Sequence, residues 1–400
     1  MDDMNIAYIN PEIITWALKL RAVTPEEIAT TTVTPEKIRA WENCENLPTE
    51  AQAEVLARKL RIPYLVLFLS SPPPPEDVPI PDLRTRRGTP VSKPSQDFIA
   101  VINDALLRQD WFREYKLQSS RQKLSFVGRY DINDPIVDVA AHMRTTLGLN
   151  DDFRRECHNS EQFLRRLIQK VEGAGILVMR SGVMGHSTRN KLDVEEFQGF
   201  AISDPYAPVV FINDTDARAA QIFTLAHELA HIWIGKTGIS NARIGGKSLS
   251  DLGKIERFCN QVAAEFLVPE RSLKIAWQSS RTIKGNIQRI CKYFWVSSLV
   301  ALRRAYDLKK IPFADFNFAM DEEYARIRAA EEKRKKKQKE DEKKQQGQFW
   351  STFKMRNSVL LSDTVAASVR SSKTTYTEAS SVLGVSISTV ERFLRREKAA

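Results

Sequence analysis

A proline-rich segment is the feature that most constrains how this chain can fold. It begins at Ser70-Ser-Pro-Pro-Pro-Pro-Glu76 and continues through Pro79, Pro81 and Pro90. Because proline lacks the backbone N–H that helices and sheets need, the segment predicts a semi-rigid, extended spacer. We therefore expect the residues before it and after it to fold as separate domains.

A second composition break lies at residues 331–348, which are almost entirely Lys, Glu, Arg, Asp and Gln. No apolar spacing there can form a core, so the run predicts a solvated helix or a disordered tether. The predicted fold class is multidomain and mainly α. The expected segments are a helical domain at 1–70, a linker at 71–96, an α+β domain at 97–320, a charged tether at 321–348 and a helical tail at 349–400.

Composition favours a cytoplasmic protein with buried cores. Hydrophobic residues make up 42% of the 400 positions. The acidic start lacks a secretory signal, and the longest apolar run, Tyr64–Leu69, is too short to cross a bilayer, so no membrane partner is expected. The cysteines form no C-x-x-C pair, which predicts reduced thiols that act as packing residues. They are Cys44, Cys157, Cys259 and Cys291.

The formal net charge of +10 is distributed unevenly along the chain. Residues 1–70 hold seven Lys or Arg against ten Asp or Glu, whereas residues 351–400 hold eight against four. Because phosphate neutralisation supplies much of the affinity for nucleic acid, the tail is the better DNA candidate by charge.

The N-terminal domain carries two helix-start signals ten residues apart. Thr24-Pro25-Glu26-Glu27 has the form of a capping box, and Thr34-Pro35-Glu36 repeats the start signal. The second helix is expected to turn Ile38 and Trp41 inward. A short helix, a tight turn and a second helix are typical of a helix-turn-helix.

Residues 9–76 resemble the lambda-repressor-like, XRE-type helix-turn-helix domain, including its Trp41-Glu42 and Pro48-Thr49 pairs. Thr32 and Cys44 stand at positions where that family commonly has glycine. The resemblance implies an all-α domain that contacts double-stranded DNA, and the alternative is a protein-docking or dimerisation module that would make the protein a homodimer. The implied DNA contacts are Thr34, Glu36, Lys37, Arg39 and Asn43.

The spacing of apolar residues changes in the central domain from a helical pattern to a strand-like one. Three short β-favouring runs, Gly175–Met179, Phe200–Ile202 and Val209–Ile212, predict a small sheet. Directly after Asn213-Asp214, apolar residues at helical spacing predict a helix. This helix carries the sequence His227-Glu228-Leu-Ala-His231.

The spacing of this motif predicts a metal site. His227 and His231 are four residues apart, so both imidazoles leave one helix face and can bind zinc, while Glu228 can act as general base. The next predicted helix offers Glu256 as a third ligand, with Asn260 and Glu265 as supporting or pocket residues. The alternative is a solvated surface helix, which the otherwise apolar sequence disfavours.

The stretches Asp193–Gly235 and Glu256–Pro269 resemble the ImmA/IrrE family of metallopeptidases, with Cys259 and Val262 replacing the usual Ala and Phe. The resemblance implies a zincin-like, gluzincin-type α+β domain with Zn2+ held by His227, His231 and Glu256. It also implies an endopeptidase that cleaves a partner transcriptional repressor or antitoxin-like protein and so regulates stress or mobile-element genes.

Further expectations about this domain concern substrate and role. The sheet edge near residues 200–212 is expected to hold the substrate as an added strand. His186 and Tyr206 are candidate donors to the oxyanion, although a loop or packing role is the simpler interpretation of both. The alternative function is a DNA-binding regulator or antitoxin whose peptidase-like domain senses or scaffolds rather than cuts.

The tail contains a second helix-turn-helix pattern between Thr377 and Arg396, with Leu383-Gly384-Val385 as its turn. Its second helix would turn Val390, Phe393 and Leu394 inward. The alternative is a helical hairpin that packs on the peptidase domain. The candidate DNA contacts are Ser386, Ser388, Thr389 and Arg392.

Overall fold

The chain forms two compact units in a computed structural model. The first takes in Met1–Val78 and Lys93–Ala100, and the second takes in Pro79–Ser92 and Val101–Ala400. The structure describes residues 5–21, 23–60, 62–73, 80, 94–119, 122–150, 152–184, 191–240, 251–341 and 349–399.

The first unit is helical: α1 (Pro11–Arg21), α2 (Pro25–Ile28), α3 (Pro35–Glu42), α4 (Glu50–Leu60) and a 3-10 helix (Tyr64–Phe68). Both start signals work as the sequence predicts, because Thr24 makes a capping box with Glu27 and the Thr34 side chain accepts from the Lys37 N–H. However, α2 spans only four residues. Ile38 and Trp41 are buried as expected, and they join the core of this unit.

The cysteines differ from one another in their surroundings. Cys157 and Cys259 are buried, Cys291 is half-buried, and Cys44 is exposed, so the packing role predicted for Cys44 is wrong. Cys44 directly follows the C-cap residue of α3 and has a φ of 60°, a left-handed conformation that glycine adopts most readily.

The remaining helices and the strands follow the linker. The helices are α5 (Gln96–Gln118), α6 (Ile136–Thr146), α7 (Asp152–Arg155), α8 (Ser160–Gly173), α9 (Arg218–Trp233), α10 (Asp251–Leu267), α11 (Glu270–Ala276), α12 (Ile283–Phe294), α13 (Ser298–Asp307), α14 (Phe313–Asp341), α15 (Phe349–Asn357), α16 (Val359–Arg370), α17 (Tyr376–Leu383) and α18 (Ile387–Ala399). The strands are β1 (Leu177–Ser181), β2 (Gly199–Ile202), β3 (Val209–Asn213) and β4 (Gly238–Ser240). No described helix has the length and apolar character needed to cross a membrane.

The strands form one mixed sheet in the order β1-β3-β2-β4. β1 runs parallel to β3, and β2 runs antiparallel to both β3 and β4. Every residue of β1, β2 and β3 is buried, which explains why these strands read as continuous apolar runs rather than as alternating ones. The three predicted strands are present, and β4 is an addition.

The strand order overturns one expectation about the sheet. The strands within residues 200–212 are β2 and β3, which occupy the two interior positions of the sheet, so a substrate strand cannot be added there. The two edges of this sheet are β1 and β4. α15 and α16 pack against β1, and among the described residues no strand pairs with the outer side of β4, so β4 is the candidate edge for an added strand.

Helices α9 and α10 form the centre of the second unit. α9 packs on β2 and β3, and α10 packs on both α9 and α6. The apolar positions of α9 contribute to one continuous core, in which Leu225, Leu229 and Ile232 are fully buried. Burial of this helix on all sides brings its polar residues into the protein interior.

The C-terminal segment packs within the second unit instead of standing apart from it. α14 continues to Asp341, so residues 331–341 of the charged run are helical, and residues 342–348 lie outside the described residues. α15 and α16 then pack against β1, and α16 also contacts α8. The tail helices therefore dock on the domain that carries the predicted metal ligands.

Candidate metal centre

The two histidines of the motif lie on one face of α9. Four residues in a helix advance the chain by slightly more than one turn, so the two imidazoles lie one above the other on the same side of the helix. Their ring centroids are 4.8 Å apart, and the Nε2 atoms are 3.1 Å apart. His227 and His231 are both fully buried. The two rings thus direct their Nε2 atoms toward the same point.

Glu256 reaches this point from α10. Its Oε1 lies 3.2 Å from His231 Nε2, and its Oε2 lies 3.4 Å from His227 Nε2. The side chains of His227, His231 and Glu256 each offer one ligand atom, and these atoms lie within 4.8 Å of one another. The structure therefore brings together the three predicted ligands.

The spacing of these atoms fits a tetrahedral ion. Ligand atoms held at about 2.0–2.1 Å from zinc lie roughly 3.3 Å from one another, which matches the observed separations. Among the described residues, nothing donates a hydrogen bond to Glu256 Oε1, although the atom is buried. A cation between the imidazoles and the carboxylate would satisfy that oxygen.

Asn260 supports the first histidine, as its predicted role requires. It follows Glu256 by one turn of α10, and its Oδ1 lies 3.0 Å from His227 Nδ1. A proton on Nδ1 leaves Nε2 of His227 with its lone pair free for a metal. The amide thereby selects the ligand form of the ring.

Burial and opposite charge compete in setting the pKa values of this group. Burial raises the pKa of Glu256, but His227 and His231 outweigh it and lower the value to about 2. Burial also opposes a charge on His227, yet Glu256 raises the pKa of that imidazole above its usual value. Burial lowers the pKa of His231. Glu256 is therefore held as a carboxylate, the form that binds a cation.

Glu228, the predicted general base, is fully buried next to β2. A Cβ atom placed on Gly199 would lie 3.1 Å from Glu228 Oε1, 2.6 Å from Thr224 Cγ2 and 2.8 Å from the Phe211 carbonyl oxygen. The lack of a side chain at Gly199 therefore leaves space beside the carboxylate. No sequence pattern singled out Gly199, and its only signal is its position directly before the β-favouring run Phe200–Ile202.

Glu265 does not join this centre. Its carboxylate forms an ion pair with Arg304 and accepts a hydrogen bond from the Glu270 N–H. It lies near the C-terminal end of α10, where it lines a pocket of about 640 Å³ with Arg144 and Lys274. Its contacts give it a structural role at that end of the helix.

Three arginines hold the C-terminal end of α10, and no sequence pattern singled them out. Arg154 Nη2 donates to the Leu267 carbonyl at 2.6 Å, and Arg304 Nε donates to the Val268 carbonyl at 3.0 Å. Arg144 Nη1 lies 3.3 Å from the Phe266 carbonyl. Cations at a helix C-terminus satisfy its last carbonyls and its dipole, so they fix the helix that presents Glu256.

The structure describes one of the two oxyanion candidates, Tyr206, and gives it no contact with His227, His231 or Glu256. Tyr206 lies in a turn, where its N–H donates a hydrogen bond to Asp204 Oδ1. Lys123 Nζ lies over its ring. The contacts that the structure gives for Tyr206 are those of a loop residue. His186 lies outside the described residues.

The predicted DNA contacts of the first unit are largely engaged with their neighbours. The Arg39 guanidinium forms an ion pair with Glu26, and Lys37 Nζ donates to the Thr32 carbonyl at 3.1 Å. The remaining candidates are helix-end or exposed polar residues: Thr34 caps α3, Asn43 donates to Glu45, and Glu36 is exposed. DNA binding by this unit stays a prediction.

The tail candidates divide into two groups. Ser386, Ser388 and Arg392 are exposed, as contact residues must be. Thr389 is only 7% exposed, and its hydroxyl lies 3.0 Å from Ser386 Oγ and accepts from Arg392. These hydrogen bonds connect Thr389 to both neighbours at the start of α18, and its DNA contact stays a prediction.

A comparison with protein families supports the central assignment. The model of the Peptidase_M78 family, described as the IrrE N-terminal-like domain, matches residues 171–306. The match begins in α8 and ends in α13, so it includes all four strands, α9 and α10. This similarity supports a metallopeptidase-like function for that part of the chain. No curated protein matches the chain.

Proposed function

We propose that the protein is a zinc-dependent endopeptidase that cleaves a partner transcriptional repressor or antitoxin-like protein and thereby regulates stress or mobile-element genes. The observation that carries the peptidase assignment is the buried group of His227, His231 and Glu256, with Glu228 next to the first histidine. The similarity of residues 171–306 to the IrrE N-terminal-like domain supports the same reaction class.

The residues of α9 and α10 have separate roles in the proposed reaction. His227, His231 and Glu256 would hold the ion, and Asn260 keeps the His227 ring in its ligand form. Zinc, when bound, supplies a Lewis acid that polarises the scissile carbonyl. Glu228 takes a proton from the attacking water and passes it to the leaving amine. Burial of Glu228 keeps bulk water from competing for that proton.

The substrate would bind as an extended strand along β4. Gly199 of β2 pairs with Ser240 of β4, and Gly199 is also the residue that faces Glu228. A peptide paired with the outer edge of β4 would therefore run close to the general base. Backbone hydrogen bonds would supply affinity along this edge, and side-chain pockets would supply selectivity.

Support for a repressor-like or antitoxin-like substrate comes from two resemblances. The central domain is similar to the ImmA/IrrE metallopeptidases, and the first unit resembles the DNA-binding domain of repressors. The alternative role, a regulator whose peptidase-like domain only senses or scaffolds, would not require a buried glutamate beside a three-ligand group. Glu228 therefore favours catalysis.

Two measurements test this proposal. Metal analysis of the purified protein is expected to give one zinc per chain, and a proteome-derived peptide library is expected to show cleavage by the wild type. Glu228→Gln is expected to retain zinc and lose cleavage, because it removes the proton acceptor but none of the ligands. Equal cleavage by the wild type and Glu228→Gln would refute the assignment. The product of the neighbouring gene is the first intact protein to test as substrate.

A further inference from the structure

The last three helices of the chain pack against one another. α16, α17 and α18 follow one another closely, and Gly384 joins the last two with a φ of 65°. Val382 and Leu383 of α17 are buried, as are Val390 and Phe393 of α18. A turn through a left-handed glycine followed by a second helix is the arrangement of a helix-turn-helix.

The outer face of α18 carries three exposed arginines and one exposed glutamate, Glu391, so its net charge is positive. Arg392, Arg395 and Arg396 are exposed, and they recur at the spacing that places them on one side of a helix. Within the described residues, none of the three forms an ion pair with a carboxylate. Ser386 and Ser388 add exposed hydroxyls at the start of the same face. Arginines and hydroxyls of this kind can contact guanine edges and phosphates.

A second exposed basic group lies at the turn before α17. Lys373 is exposed there, and Thr377 is exposed in the first turn of α17. In a helix-turn-helix the first helix contacts the phosphate backbone while the second lies in the major groove. Lys373 and Thr377 thus lie where the phosphate contacts of such a complex fall, while Glu378 of the same turn accepts a hydrogen bond from Trp111.

The C-terminal helices are also held firmly on the metal-site domain. The Phe393 ring of α18 lies 5.1 Å from Phe353 of α15, and α15 packs against β1. Glu172 of α8 accepts hydrogen bonds from Ser358 Oγ and the Val359 N–H at the start of α16. A ligand bound by α18 is therefore fixed in orientation relative to the strand β1 and the helix α8.

We propose that α16–α18 bind double-stranded DNA through the exposed face of α18. This proposal goes beyond the peptidase reaction and does not depend on it, because no metal ligand takes part. It assigns the DNA contact to the end of the chain and not to α3, whose basic side chains are held by Glu26 and by the Thr32 carbonyl. DNA binding would fix the orientation of the metal centre relative to the bound DNA.

The test uses the full-length protein and a random-sequence pool of double-stranded DNA. Rounds of selection are expected to enrich a motif, and binding of the enriched duplex is expected to weaken steeply with salt. The triple variant Arg392→Ala, Arg395→Ala, Arg396→Ala is expected to lose at least about tenfold in affinity. Ser388→Glu, which places a negative charge on the same face, is expected to weaken binding as well.

A charge-matched triple provides the control. Arg39→Ala, Arg58→Ala, Lys59→Ala removes the same number of positive charges from the first unit and is expected to leave the affinity nearly unchanged. Equal losses from the two triples, absence of binding at low salt, or equal competition by duplex RNA would each overturn the proposal. Zinc content and circular dichroism of every variant identify a loss that comes from misfolding.

Discussion

Two glutamates of the second unit are buried to nearly the same degree, and their carboxyl groups behave in opposite ways. Glu256 is 5% exposed and Glu172 is 7% exposed. The pKa of Glu256 is lowered to about 2, whereas burial raises the pKa of Glu172 despite hydrogen bonds from Ser358, Leu360 and Val359. Burial alone therefore does not decide the charge of either group.

The difference lies in the partners. Glu256 faces two imidazoles that can carry positive charge, while Glu172 faces a hydroxyl and two peptide N–H groups, which are neutral. A buried carboxylate stabilised by cationic partners is suited to hold a metal ion, and one bonded to neutral donors is suited to hold a helix end. The comparison separates a functional carboxylate from a structural one.

Replacement of Glu256 by Gln should have the largest effect. The variant removes the anionic ligand, so the loss in zinc affinity should exceed the roughly 10–100-fold cost of changing a residue that only supports a ligand. Competition with a chelator measures this affinity. Glu172→Gln serves as the control and should bind zinc as the wild type does. Wild-type zinc affinity in Glu256→Gln would remove the carboxylate from the site.

Replacement of Glu172 by Ala should destabilise the docking of the C-terminal helices. The Ser358 hydroxyl and the N–H groups of Val359 and Leu360 would lose their acceptor, which should lower the free energy of unfolding by about 2–3 kcal/mol. Urea denaturation measures the loss, and limited proteolysis should show earlier cleavage within residues 349–399. Asp152→Ala is the control, because its exposed ion pair with Arg155 should contribute less than about 1 kcal/mol. Equal losses in the two variants would mean that Glu172 contributes no more to the free energy of unfolding than an exposed ion pair does.

Replacement of Gly199 by Ala tests the space beside Glu228. The new Cβ would meet Thr224 and the Phe211 carbonyl below contact distance, so we expect a loss of about 1–3 kcal/mol in stability. Cleavage should fall further than stability explains, while zinc content stays near that of the wild type. Gly173→Ala is the matched control, since nothing lies within 4 Å of its added Cβ. Full cleavage activity in Gly199→Ala would show that the space is not used.

The sequence predicted those parts of the molecule that depend on local spacing. His227, His231 and Glu256 lie on two consecutive helices, so the helical spacing of the sequence is enough to predict them. The support from Asn260 also stays within these two helices, since Asn260 follows His227 by 33 residues. The order of the strands depends on long-range pairing, so β4 and the interior position of β2 were not predicted. Glu172 and Ser358 are 186 residues apart, and no local pattern marks either as a partner of the other.

The pH dependence of stability gives the finest test of the comparison. Because the folded-state pKa of Glu172 is raised above its usual 4.5, its protonated form is favoured in the folded protein. Its contribution is therefore fully present below pH 4.5 and is lost as the pH rises through the folded pKa. Glu172→Gln keeps an oxygen acceptor but cannot ionise, so its stability relative to the wild type should increase as the pH is raised from 4.5 toward neutrality. Urea denaturation of both proteins across that range measures the difference, and parallel curves would mean that burial does not raise the pKa of this carboxyl group.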